Sequence, residues 1–238
     1  MGHKLVVVKG SFLLLACGDG ASAPPDAEPA PDAIAAPDAA ACGTPVTVFL
    51  NGGGGTYTSG MDNSSTNTSS ILNMERTLAP YAGTISLDDV RACVASLLAP
   101  FNVVVTTTDP GDAVHRELVF IGAPAEIGAP EQALSISPID CATDGEDPLP
   151  RVIAFVMGGQ YDDATLLCED TAQVVGHTFG LDHAFQCDDV MAWDPNCGAR
   201  TFLDMDVPCG ETEARGCACG ATQNSYQQLA DLAGLACD

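Results

Sequence analysis

Between positions 173 and 183 the chain reads Gln-Val-Val-Gly-His-Thr-Phe-Gly-Leu-Asp-His, and no other stretch constrains the fold as much. Residues at i and i+4 of a helix share a face, so Gln173 and His177 stand one above the other if this segment is helical. Gly180 follows His177 by three residues and can adopt the positive φ that ends a helix and turns the chain. The turned chain can then carry His183 back towards His177. Three donors gathered in this way suit a tetrahedral ion and leave its fourth position open.

The spacing His177-x-x-Gly180-x-x-His183 matches the second half of the extended zinc motif H-E-x-x-H-x-x-G-x-x-H. Met191 follows within Asp189-Val190-Met191-Ala192-Trp193. Together the two stretches resemble the active-site helix and Met-turn of the metzincin zinc endopeptidases. The resemblance is specific over 173–193 and only topological elsewhere. It implies an α+β domain with a mixed twisted sheet, an active-site helix, a Met-turn at Met191 and a Cys-rich C-terminal subdomain.

By the same resemblance, Gln173, His177 and His183 occupy the metal-ligand positions. Gln173 replaces the first histidine, and Val174 occupies the slot of the general base. Valine cannot accept a proton, and losing a general base costs roughly 10²–10⁴ in rate. No catalytic residue is therefore assigned. Zinc is either held weakly by two imidazoles and an amide oxygen, completed by water, Asp182 or Asp188, or lost. Glu169 and Asp170 precede Gln173 on the same helix; Asp170 shares its face but is given no role. Trp193 stands where the astacin-like branch places a tyrosine ligand, and is read as a hydrophobic cover over the cleft. The expected function is peptide or protein binding by a catalytically impaired domain. The alternatives are an active zinc endopeptidase with an atypical metal site and a purely structural disulfide-stabilised lipoprotein.

The chain has 238 residues, with 32 acidic against 8 basic side chains and a net charge of −24. Such a surface repels nucleic acid and anionic membranes. Acidic surplus serves solubility first; calcium binding is the functional alternative, with candidate ligands in 144–147 and at Asp188 and Asp189. Residues 1–16 have the charged start and short apolar core of a signal peptide, too short to span a membrane. Leu14-Leu15-Ala16-Cys17 resembles a bacterial lipobox, which implies lipidation of Cys17 and an exported lipoprotein, periplasmic or on the cell surface. Residues 17–41, rich in Ala, Pro and Asp, cannot build a core and read as a tether of up to ~75 Å. The lipid is then the only membrane contact, and the folded domain at 42–238 is expected to be a monomer.

Of 11 cysteines, ten remain after Cys17, an even number that suggests up to five disulfides in an exported chain. Cys217 and Cys219 lack a second pair at zinc-ligand spacing. Strands are expected at 46–50, 101–107, 114–121 and 151–157, with a weaker edge strand at 133–139. Helices are expected at 86–99, from Asp162 or Asp163 to Gly180, and at 223–235. The Gly-rich 51–60 and the polar 63–70 read as loops, and 194–221 as a loop-like stretch ordered by disulfides. His115 falls in a strand and is read as structural.

Overall fold

The computed structural model describes residues 43–143, 145–194 and 197–237. The signal peptide, Cys17 and the tether lie outside the described residues. The domain is α+β. Its main sheet has five strands: β1 (Val46–Asn51), β5 (Val103–Thr106), β6 (Arg116–Phe120), β7 (Ser135–Ile136) and β8 (Ile153–Val156). Their order is β5-β1-β6-β8-β7. The first four are mutually parallel, and β7 closes one edge antiparallel to β8.

Alternation along the strands separates two cores. Val48, Leu50, Leu118, Phe120, Ala154 and Val156 face the helices α1 (Leu87–Leu97) and α2 (Ala164–Thr178). Val119, Ile153 and Phe155 face a second, smaller sheet, made of β2 (Gly55–Ser59), β3 (Thr68–Ser69) and β4 (Arg76–Leu78). This sheet corrects the reading of 51–60 and 63–70 as loops. Tyr57 supplies the reason: it is fully buried, and its ring meets Phe155 edge-on at 6.0 Å. One aromatic anchor and pairing to a partner distant in sequence outweigh the local glycine and serine content.

The helices form where expected. Asp163 caps α2 by accepting hydrogen bonds from the amides of Thr165 (2.7 Å) and Leu166 (3.1 Å). Cys93 of α1 is bonded to Cys168 of α2, so the two helices are cross-linked beneath the sheet. The closing helix α3 (Ser225–Ala233) is capped by Asn224, whose side chain accepts from the amide of Gln227 at 2.8 Å. Three more disulfides, Cys141–Cys219, Cys187–Cys197 and Cys209–Cys217, brace the C-terminal stretch, which has no strand or helix before α3 among the described residues. Among the described residues, no helix is long and apolar enough to cross a membrane.

Candidate functional site

Helix α2 runs beneath the sheet edge and ends where the sequence places Gly180. That glycine has φ +84°, and the amide of Leu181 donates back to the carbonyl of Gly176 at 3.1 Å. The turn brings the carbonyl of Leu181 over His177, whose Nδ1 lies 2.7 Å from it. A carbonyl only accepts, so Nδ1 carries the proton and Nε2 is left as the free lone pair. Burial, helped by the nearby His183, pushes the His177 pKa down to about 4, and the ring is neutral at pH 7.

His183 arrives from the other side of the turn. Its ring centroid lies 4.8 Å from that of His177, with the planes at 75°. Its Nδ1 is 2.9 Å from Oε1 of Glu211, so here too Nδ1 donates and Nε2 is free. An imidazole with Nδ1 anchored to a carbonyl or carboxylate is the usual arrangement of a metal-binding histidine. The structure brings His177 and His183 together as the spacing predicts.

Gln173 is also in place, but its amide is partly engaged. Its Nε2 donates to the carbonyls of Ala192 (2.8 Å) and Val190 (3.3 Å), tying α2 to the Met191 turn. Its Oε1 has no hydrogen-bond partner among the described residues, so one oxygen is left for a ligand. Met191 lies below. Its thioether packs so closely on Gly176 that a Cβ there would collide with the sulfur. Buried Asp189 fixes this turn, accepting from the amide of Met191 at 2.8 Å and from the hydroxyl of Ser225 at 2.7 Å. Val174 is fully buried in the hydrophobic core and does not line the cleft.

Gln173, His177 and His183 floor a cleft of about 730 Å³ between α2, the edge strand β7 and the Ala192–Trp193 segment. Trp193 is 55% exposed and stands 4.8 Å from the His183 ring, a cover on one histidine with an open outer face. Asp170 and Glu169 line the cleft as well. Burial pushes Asp170 up to about 6, opposed by the hydroxyls of Tyr161 and Ser135; Ser135 Oγ donates to it at 3.2 Å. Burial also raises Glu169, against the pull of Arg200 at 3.5 Å. Both acids sit at i−4 and i−3 from Gln173, and that helical spacing was their only signal in the sequence.

Asp182, His183 and Glu211 form the one group of three metal-type side chains gathered within 4.8 Å among the described residues. Arg215 already pairs with both of its carboxylates. The guanidinium lies 2.6 Å from Asp182 Oδ2 and 2.7 Å from Glu211 Oε1. Burial alone would raise the Asp182 pKa, but hydrogen bonds from Arg215 and from the amides of His183 and Ala218 hold it at about 2. The cluster therefore orients His183 and does not compete for a cation. Asp182 is thereby taken up by Arg215, and Asp188 is outside the cleft lining. Of the other acids considered for calcium, Asp147 pairs with Arg116 at 2.7 Å and Asp189 is held in the core. Glu211, Arg215 and Arg200 reach the site from the C-terminal stretch, which carries no periodic pattern that would have placed them. Comparison with protein-family models and with curated proteins finds no match to this chain.

Proposed function

We propose that this chain is a metzincin-like peptide-binding domain that has lost hydrolysis. The carrying observation is that His177 and His183 meet at the floor of an open cleft, each with Nε2 free, while Val174 is buried in the core. The sheet order, with antiparallel β7 at the cleft edge, supports the same reading. The free side of β7 offers backbone groups to an extended peptide, and Leu134, Ile136 and Trp193 offer it apolar surface.

The donor set fits zinc binding but not zinc hydrolysis. His177 and His183 would hold the ion through Nε2, and Gln173 through its amide oxygen. When bound, zinc supplies a Lewis-acid position for a peptide carbonyl. Two neutral imidazoles and one amide make a weak site for a divalent ion. Asp170 lies a helical turn before Gln173 and bonds to Ser135, so it positions the edge strand. Export as a lipid-anchored monomer through Cys17 completes the proposal, and the disulfides are compatible with it.

The test is anisotropy of labelled extended peptides, with cleavage followed by mass spectrometry, in zinc and in chelator. Saturable binding without cleavage is expected in both. Cleavage that chelator abolishes would overturn the loss of hydrolysis, and absence of peptide binding would overturn the cleft.

A further inference from the structure

A second polar cavity, of about 400 Å³, opens on the side of the main sheet that faces away from α1 and α2. Glu117 of β6 is at its base, opposite Phe49 in the strand register. The side chain is 2% exposed. Its Oε1 accepts two hydrogen bonds, from Asn51 Nδ2 at 2.8 Å and from the Tyr57 hydroxyl at 2.7 Å. Its Oε2 is buried and has no hydrogen-bond partner among the described residues. Two further carboxylates, Asp109 and Asp112, line the same cavity from the exposed loop between β5 and β6, together with His115; among the described residues no lysine or arginine lines it.

An ionised carboxylate with one oxygen unpaired in a buried site is costly unless a proton or a cation satisfies it. Burial raises the Glu117 pKa, against the Asn51 and Tyr57 bonds and the nearby His115, which favour the charged form; a proton on Oε2 would itself find no acceptor among the described residues, whereas a cation would satisfy that oxygen. The neighbouring Asp109 carboxylate adds repulsion that a cation would remove. Hard divalent ions take oxygen ligands and keep water in part of their shell. The three acids do not form a tight cluster of the Asp182–His183–Glu211 kind, and a cavity of this size has room for those waters.

We propose that this cavity is a calcium site, with Glu117 Oε2 as its buried ligand and Asp109 and Asp112 as its ligands from the loop. It is separate from the histidine cleft and independent of the reading given for that cleft. It also differs from the acidic segments that the sequence suggested. Calcium bound here would join the β5–β6 loop to the base of β6 and lock the small sheet through Tyr57.

The experiment uses calcium and terbium ions on chelator-stripped protein. Terbium beside Glu117 is close enough to the Tyr57 phenol to take up its excitation, so tyrosine-sensitised luminescence displaced by calcium reads the site. One equivalent of calcium is expected, unchanged in His177→Ala/His183→Ala. Affinity is expected to fall about tenfold or more in Glu117→Gln and severalfold in Asp109→Asn. Asp109 is on an exposed loop, so its variant reports even if Glu117→Gln fails to fold. No calcium binding, binding unaffected by Asp109→Asn, or binding lost with the two histidines would overturn the proposal.

Discussion

The histidine pair and Glu117 are buried polar groups on either side of one sheet, and they are held in different ways. In the cleft each anchor has a partner: His177 on Leu181, His183 on Glu211, and the Gln173 amide on Ala192. What remains free at its floor is the two Nε2 positions and one amide oxygen, while one oxygen of the buried Asp170 on the same helix also has no hydrogen-bond partner among the described residues. In the cavity, Glu117 concentrates two bonds on one oxygen and leaves the other with none. A neutral lone pair that faces a cleft can be solvated at little cost, whereas a buried charge cannot. The His177–Gln173–His183 floor can therefore persist without a metal, whereas Glu117, like Asp170, calls for a proton or a cation.

The sharpest way to break this comparison is to move the charge. Val174→Glu places a carboxylate inside the core instead of the cleft, and should cost about 3–5 kcal/mol in a denaturant titration. Glu117→Gln, in chelator, should be far milder, since it removes an uncompensated buried charge and the amide oxygen can still accept from Asn51 and Tyr57, offsetting the buried amide donors left at the Oε2 position. A stable Val174→Glu protein that binds zinc would mean that position 174 turns to the cleft after all.

Next in size is the brace beneath the cleft. Cys93–Cys168 closes a loop of 75 residues and holds α1 against α2. Replacing both cysteines by alanine should cost about 4 kcal/mol by chain entropy, with no effect on calcium at Glu117. Calcium affinity that falls with the disulfide would show that the two sites are coupled through the sheet.

The pH dependence sharpens the contrast within the cleft itself. His177 titrates near 4 in the fold and near 6.5 when unfolded. Between these values only the unfolded chain holds the proton, so this group makes stability fall as pH drops from 6.5 to 4, by about 3 kcal/mol. Asp170 works in reverse: about 6 folded against 3.8 unfolded, so its contribution is full below 3.8 and is lost as pH rises through 6. The two nearly offset one another between pH 4 and 6. Asp170→Asn should therefore expose the histidine slope as a steeper loss of stability on acidification, measured by denaturation midpoints at each pH. An unchanged profile would mean that Asp170 is ionised in the fold at pH 5.

Much of the cleft was legible because its geometry is local. Helical spacing and one glycine bring Gln173, His177 and His183 together, and a caps-and-stripe reading locates α1 and α2. The second sheet was not legible, because Tyr57 earns its place by meeting Phe155 about a hundred residues away. Glu117 was hidden for a similar reason: it sits in an apolar run, and Asn51 and Tyr57 find it only through strand register. Arg215 and Glu211 come from a disulfide-ordered stretch, where no period says which side chain faces the site.

The smallest effect on stability is expected at Trp193, where the effect on function should be clearest. The side chain is 55% exposed and touches the site through the His183 ring at 4.8 Å. Trp193→Ala should move stability by less than about 0.5 kcal/mol, as for other surface changes. Loss of an aromatic anchor should nevertheless weaken peptide binding by about 1–2 kcal/mol, roughly tenfold, in the anisotropy assay. Calcium binding at Glu117 should not change. Peptide affinity unaffected by Trp193→Ala would place the bound chain along β7 and away from His183, and the histidine pair would then serve metal alone.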